Sequence, residues 1–246
     1  MDAGDAQLYV QRADLRRQHE EWIGALDDYE TAHKLDSSLE LDLLRGCVLL
    51  QSGRAMDALP LFNGFLTRHP AHPLALLYRA RALEKLDRHS EAATDYIEVL
   101  RYTTIPEPDL IMEAGNSFAA HGHAGDAIQI LDAGIEKLGS IPSLVLRAID
   151  IEIAAGNFDA ALTRVAMMQQ GSSRPEPWIA RRASILAQAG RVTESRKTWQ
   201  ALAMHLGALP AAERGSHAMS KLMEQTRQAL AALDGLPVDF KTSSKP

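Results

Sequence analysis

The chain has 246 residues, 46% apolar and 24% charged, with a formal net charge of −6. That length suits one large domain or two small ones, while an acidic chain has no general attraction for nucleic-acid phosphates or anionic lipid, so neither nucleic acid nor membrane insertion is expected. The one cysteine, Cys47, excludes an intrachain disulfide, no window holds the roughly 18 apolar residues of a membrane span, and the N-terminus lacks the order of a secretion signal. The expected compartment is therefore the cytoplasm, or the periplasm if a signal was removed.

Strand-type alternation is nearly absent and helical periodicity runs through almost every window, so an all-α chain is expected. After a short leader over 1–5, helices come in pairs, each centred on a small residue. The pairs are Ala13 with Ala25, Gly46 with Ala58, Ala80 with Ala92, Gly115 with Ala127, Ala148 with Ala161, and Ala183 with Ser195. The second-helix members are 33, 34, 35, 34 and 34 residues apart, and such internal periodicity marks a repeat architecture. A larger residue follows most first-helix members three positions on: Leu49, Leu83, Phe118, Ile151 and Leu186. Four positions after each second-helix member stand Tyr29, Phe62, Tyr96, Leu131, Val165 and Trp199. Gly53, Gly122, Gly156 and Gly190 mark turns within the pairs. Pro73, Pro108, Pro142 and Pro177 mark starts of first helices, where a missing N–H leaves no helical bond unmade. The pair around Ala161 carries one extra residue in its first helix or its turn.

SHAMSKLMEQTRQALAALDG, within 210–235, reads as a terminal capping helix with an apolar stripe of Ala218, Leu222, Met223, Ala229, Leu230 and Leu233. LPVDFKTSSKP, over 236–246, reads as a loose tail in which Val238 and Phe240 are able to dock.

With its period of about 34 residues and its small and large residues at fixed offsets, the chain resembles the tetratricopeptide repeat family over residues 6 to 209. The six units run over about 6–38, 39–72, 73–107, 108–140, 141–175 and 176–209. The last unit has Ser195 where alanine is usual, and the family's first-helix tryptophan is missing throughout. The resemblance implies a right-handed α-solenoid whose first helices line a concave groove. It places Val10, Leu43, Leu77, Met112, Val145 and Ala180 in one groove row, and Asp14, Cys47, Arg81, Asn116, Ile149 and Ser184 in the next. Tyr78, Glu113 and Arg181 add polar handles. An apolar row with polar flanks suits a peptide or an amphipathic helix. The carboxylate clamp of some family members is absent, because its places hold Val10, Asp14, Leu44, Leu74 and Tyr78. The implied function is a non-catalytic protein-binding scaffold or adaptor. A self-assembling array, joined as a homo-oligomer through its ends, is the alternative. The alanine-rich, lysine-poor composition points to a bacterial source, where family members often serve the assembly of envelope or secretion machinery.

Other chemistry is less favoured. HGHAGD, with His121, His123 and Asp126, reads as a solvated turn, because a closed metal site needs about four fixed ligands. His69 and His72, either side of Pro70, are read the same way. Cys47 has no designated base, and neither a phosphate-binding glycine loop nor a serine elbow is present, so neither enzyme nor cofactor is expected. RADLRRQHEE reads as a solvated helix face.

Overall fold

The structure, a computed structural model, describes residues 5–210 and 214–234. These form thirteen α-helices and no strand. The leader before Asp5, the tail with Val238 and Phe240, and residues 211–213 lie outside the described residues. The chain divides into two compact units, through Leu144 and from Val145.

The first unit holds α1 (Ala6–Gln18), α2 (Trp22–Leu35), α3 (Asp42–Gln51), α4 (Ala55–Arg68), α5 (Pro73–Glu84), α6 (His89–Tyr102), α7 (Pro108–Ala120) and α8 (Ala124–Leu138). The second holds most of α9 (Pro142–Ala154), then α10 (Phe158–Gly171), α11 (Glu176–Gln188), α12 (Val192–Ala208) and α13 (His217–Asp234). All four prolines fall at first-helix starts. His72 caps α5 through Nδ1, which accepts the amide of Ala75 at 3.2 Å.

One turn recurs six times. Glu20, Gly53, Asp87, Gly122, Gly156 and Gly190 all have positive φ, between 57° and 82°. After each, an amide reaches back five residues: Glu21 to Arg16, Arg54 to Leu49, Arg88 to Leu83, His123 to Phe118, Asn157 to Glu152 and Arg191 to Leu186, all at 2.8–2.9 Å. This is a Schellman closure, which satisfies carbonyls at the helix end. Glycine fills four of the six places, and the other two carry a side chain in the left-handed region.

These turns give an absolute register. Counting back seven from each left-handed residue reaches Ala13, Gly46, Ala80, Gly115 and Ala183, the small residues of the first helices. In the fifth repeat it reaches Ile149 rather than Ala148. Ile149 stands 34 residues after Gly115, 34 before Ala183 and 12 before Ala161, so the fifth repeat carries no extra residue, and the sequence register there was one residue early. Position 152, equivalent to Leu49 and Phe118, is then Glu152, buried with Oε1 2.7 Å from Arg164 Nε.

The small residues make room for specific partners. A Cβ at Gly46 would stand 2.5 Å from Phe62, and one at Gly115 would stand 3.0 Å from Leu131. Each pairs the first-helix small position with the second-helix large one. Sizes compensate across the other repeats: Ala13 with Tyr29, Ala80 with Tyr96, Ala183 with Trp199, and the reversed case of Ile149 with Val165, all buried. Ala25, Ala58, Ala92, Ala127 and Ala161 are fully buried too. Ser195 takes the same place because its hydroxyl donates to the Ala183 carbonyl at 2.8 Å, as a buried hydroxyl requires.

Part of the RADLRR run is not solvated. Arg12 and Arg16 grip the buried carboxylate of Asp28, with contacts of 2.5–2.8 Å. Arg79 holds Asp95 in the equivalent place through two 2.7 Å bonds. Such a carboxylate must be paired to be buried.

In the second unit α13 packs on α11 and α12, placing Met219, Leu222 and Leu233 against Ala183, Trp199, Leu202 and Leu206. Ala218 and Met223, expected in this stripe, are exposed; Met219 and Thr226 take their places. Burial follows 219, 222, 226 and 233, one face at helical spacing. Thr226 satisfies its hydroxyl on the Leu222 carbonyl, so it tolerates that face.

Two outcomes are expected from urea denaturation. Gly46→Ala loses about 2 kcal/mol by overpacking, and the double variant with Phe62→Leu loses less than the sum of the single changes. Glu20→Gly gains about 1 kcal/mol, because glycine removes the left-handed strain.

Candidate functional site

The first helices of the first unit line a cleft of about 570 Å³. Its walls come from the C-terminal halves of α3, α5 and α7: Leu50 and Gln51, then Tyr78, Arg81 and Glu84 with Lys85, then Glu113 and Ser117 with His121. Of the residues proposed from the sequence, Tyr78 and Arg81 fall in this cleft, and Glu113 joins them.

A regular cross-helix pairing positions the cleft. The residue after the first-helix small position meets the residue two before the next one. Tyr78 packs against the cluster that holds Cys47. Arg81 Nη2 lies 3.8 Å from Glu113 Oε2. In the second unit Asp150 pairs with Arg181. Glu84 is anchored from two sides, accepting the hydroxyls of Tyr96 and Ser117, each at 2.6 Å. Burial and this carboxylate push the Tyr96 phenol well above its ordinary value, so it stays a donor. Tyr29, raised first by burial, donates to Asp14 in the same way.

The remaining groove candidates divide by burial. Val10, Leu43, Leu77 and Met112 are half-buried, and Asn116 is exposed. Leu43 and Leu77 lean on Phe65 and Leu66. Asp14 is held by Tyr29. Cys47 is buried, and burial pushes its thiol up to about 12, so it is framework rather than contact surface. Val145, Ile149 and Ala180 are also buried, which corrects their placement in the groove rows. The one-residue shift in α9 puts Leu146 and Asp150 at the positions assigned to Val145 and Ile149, and both are exposed. Ser184 turns its hydroxyl back onto the Ala180 carbonyl at 3.1 Å.

Sequence reasoning missed Gln51, Glu84, Lys85, Ser117 and His121. Their signal lay one helical turn beyond Cys47, Arg81 and Glu113, because residues four apart share a helix face. The histidine turns are also more structured than expected. His69 contacts Glu40 at 2.6 Å, and the rings of His69 and His72 both pack on Phe65. His121 and His123 both stack on His89, a residue that the sequence did not single out. Among the described residues no group of three His, Cys, Asp or Glu side chains is placed to hold a metal ion, and no helix is long and apolar enough to cross a membrane.

Residues 43–106, from α3 past α6, match the family model for the tetratricopeptide repeat. That segment is a tetratricopeptide repeat segment. No curated relative matches its sequence. Solved structures share the fold at low identity. A tetratricopeptide repeat protein from Parabacteroides merdae is 14% identical with a TM-score of 0.51, over 90% of this chain and 98% of that one. The MamA protein is 18% identical with a TM-score of 0.52, over 67% of this chain and 89% of that one. A chain from the structure of Naa15/Naa10 bound to HypK-THB is 11% identical with a TM-score of 0.60, over 93% of this chain and 34% of that longer one. The register of this repeat array accounts for the cleft. The repeat sets each first helix beside the next, so polar residues at one offset line up across α3, α5 and α7.

Cys47 is expected to resist a thiol-specific disulfide reagent at pH 8 in the folded protein, since its thiolate is scarce and shielded. In urea it should react in full, as colour release will report.

Proposed function

We propose that this tetratricopeptide repeat protein is a non-catalytic binding scaffold. Its first unit takes a peptide or a helix of a protein partner along the face of α3, α5 and α7. The observation that carries the reading is the cleft itself. It sets an apolar floor from Leu50 and the Tyr78 ring beside Gln51, Arg81, Glu113 and Ser117. Such a surface offers hydrophobic burial with polar groups that fix register. Half-buried Leu77 and Met112 extend the same two helices toward their N-termini. The fold likeness to a chain in the Naa15/Naa10 assembly supports protein partners as a class. The one thiol offers no activated nucleophile, being buried and held protonated.

The test is affinity capture from source-cell lysate with wild type and with Tyr78→Ala/Arg81→Glu, both checked for native helicity by circular dichroism. A partner captured by wild type should fall at least about tenfold with the variant, as loss of central contacts predicts. Photocrosslinks from position 113 should reach it. Equal capture by both proteins overturns the assignment of this cleft.

A further inference from the structure

On α5 the cleft carries Tyr78, Arg81 and Lys85, spaced three and four residues apart and therefore on one helix face. The two cations are not used up by the protein. The Arg81 guanidinium stands 3.8 Å from the Glu113 carboxylate, beyond hydrogen-bond reach, and the Glu113 side chain is 70% exposed. Lys85 is exposed and makes no hydrogen bond or ion pair among the described residues. The carboxylate beside it is occupied, since the two oxygens of Glu84 accept the hydroxyls of Tyr96 and Ser117. The cleft thus holds two cations with open donors, and of its two carboxylates only Glu113 keeps free acceptors. Arg17 of α1 adds a third positive charge, which acts with Arg81 on the Tyr78 phenol.

We infer that the segment bound in this cleft carries an aspartate or glutamate side chain at its centre, gripped by Arg81 and Lys85 beside the Tyr78 ring. The inference rests on the binding face assigned to α3, α5 and α7. A guanidinium takes a carboxylate through two parallel N–H bonds, and an ammonium adds a third. Such bonds gain strength over an apolar floor, here Leu50 and the half-buried Tyr78 ring, where water is partly excluded.

The placement decides between sources of negative charge. α5 is the middle one of the three helices that line the cleft. A segment that crosses them continues over Gln51 on one side and over Ser117 on the other, so it meets Arg81 with an internal residue rather than with its end. One negative charge suits the site. Glu84 and Glu113 stand beside the two cations, and a doubly charged phosphate would face both of them. Glu113, exposed and loosely paired, releases Arg81 at small cost.

The experiment selects peptides displayed on phage against the full-length protein. About twelve random residues suffice, because three neighbouring helices span roughly 20–30 Å and an extended residue covers about 3.3 Å. Enriched peptides are synthesised, and Kd is read by fluorescence anisotropy against wild type, Arg81→Gln, Lys85→Gln, the double variant and Tyr78→Ala, each checked for native helicity by circular dichroism. The peptides should share an internal Asp or Glu. Replacing it by its amide should weaken binding to wild type at least about tenfold. The same replacement should cost less than about threefold against the double variant, as a double-mutant cycle requires of a direct pair. Peptides that lose binding with Tyr78→Ala but share no acid, or whose acid and amide bind equally, overturn the carboxylate subsite and leave the cleft standing. Peptides indifferent to Tyr78→Ala, or no enrichment at all, overturn the cleft as well. A phosphoserine that binds more than about tenfold tighter than the acid it replaces overturns the choice of a carboxylate. If the double variant unfolds, Lys85→Gln decides alone, because Lys85 is exposed.

Discussion

The structure depends on one packing constraint: each first helix must come close enough to its own second helix for a large side chain to seat on a nearly bare backbone. At Gly46 that approach leaves no room even for a methyl group beside Phe62. Interiors at crystal-like density give such a contact no slack. A pair can exchange sizes, as the buried Ile149 and Val165 show against Gly46 and Phe62.

From that contact the site follows. Seating the two helices fixes the rotation of each first helix about its axis. The Schellman turn, seven residues past the contact, fixes its end. Rotation and end together decide which offsets face the neighbouring first helix. The residue after the small position and the residue two before it become a cross-helix pair: Cys47 with Tyr78, Arg81 with Glu113, Asp150 with Arg181. Changing the chemistry of that pair changes the cleft without touching the fold, which is how a binding surface varies on a constant scaffold.

Several of the polar groups inside this array are answered locally. Asp28 and Asp95 are gripped by arginines of their own repeats. Ser195 returns its hydroxyl to the first-helix backbone, and Thr226 does the same on α13. The histidine rings differ in kind, because His89 is buried against His121, His123 and Phe118 while its Nδ1 has no hydrogen-bond partner.

The period, the helical class, the small and large offsets and the proline starts were all legible in the sequence, because they are properties of single helices and of one turn. The terminal helix was legible as an element but not as a face. Ala218 and Met223 were as apolar as the residues that became buried, and only docking on Trp199 and Leu202 chose Met219 and Thr226. The same holds for the groove. A residue at a groove offset can lean inward or outward, and in α9 a register of one residue separates the buried Val145 and Ile149 from the exposed Leu146 and Asp150. The row through Glu84, Lys85 and His121 needed three helices side by side before it became a surface. His89 lies more than thirty residues from the turn on which it stacks. The sequence by itself determined the repeat and the contact that builds it. Only the tertiary structure decided which residues face each other across repeats, because that depends on helix rotation and stacking that no single period encodes.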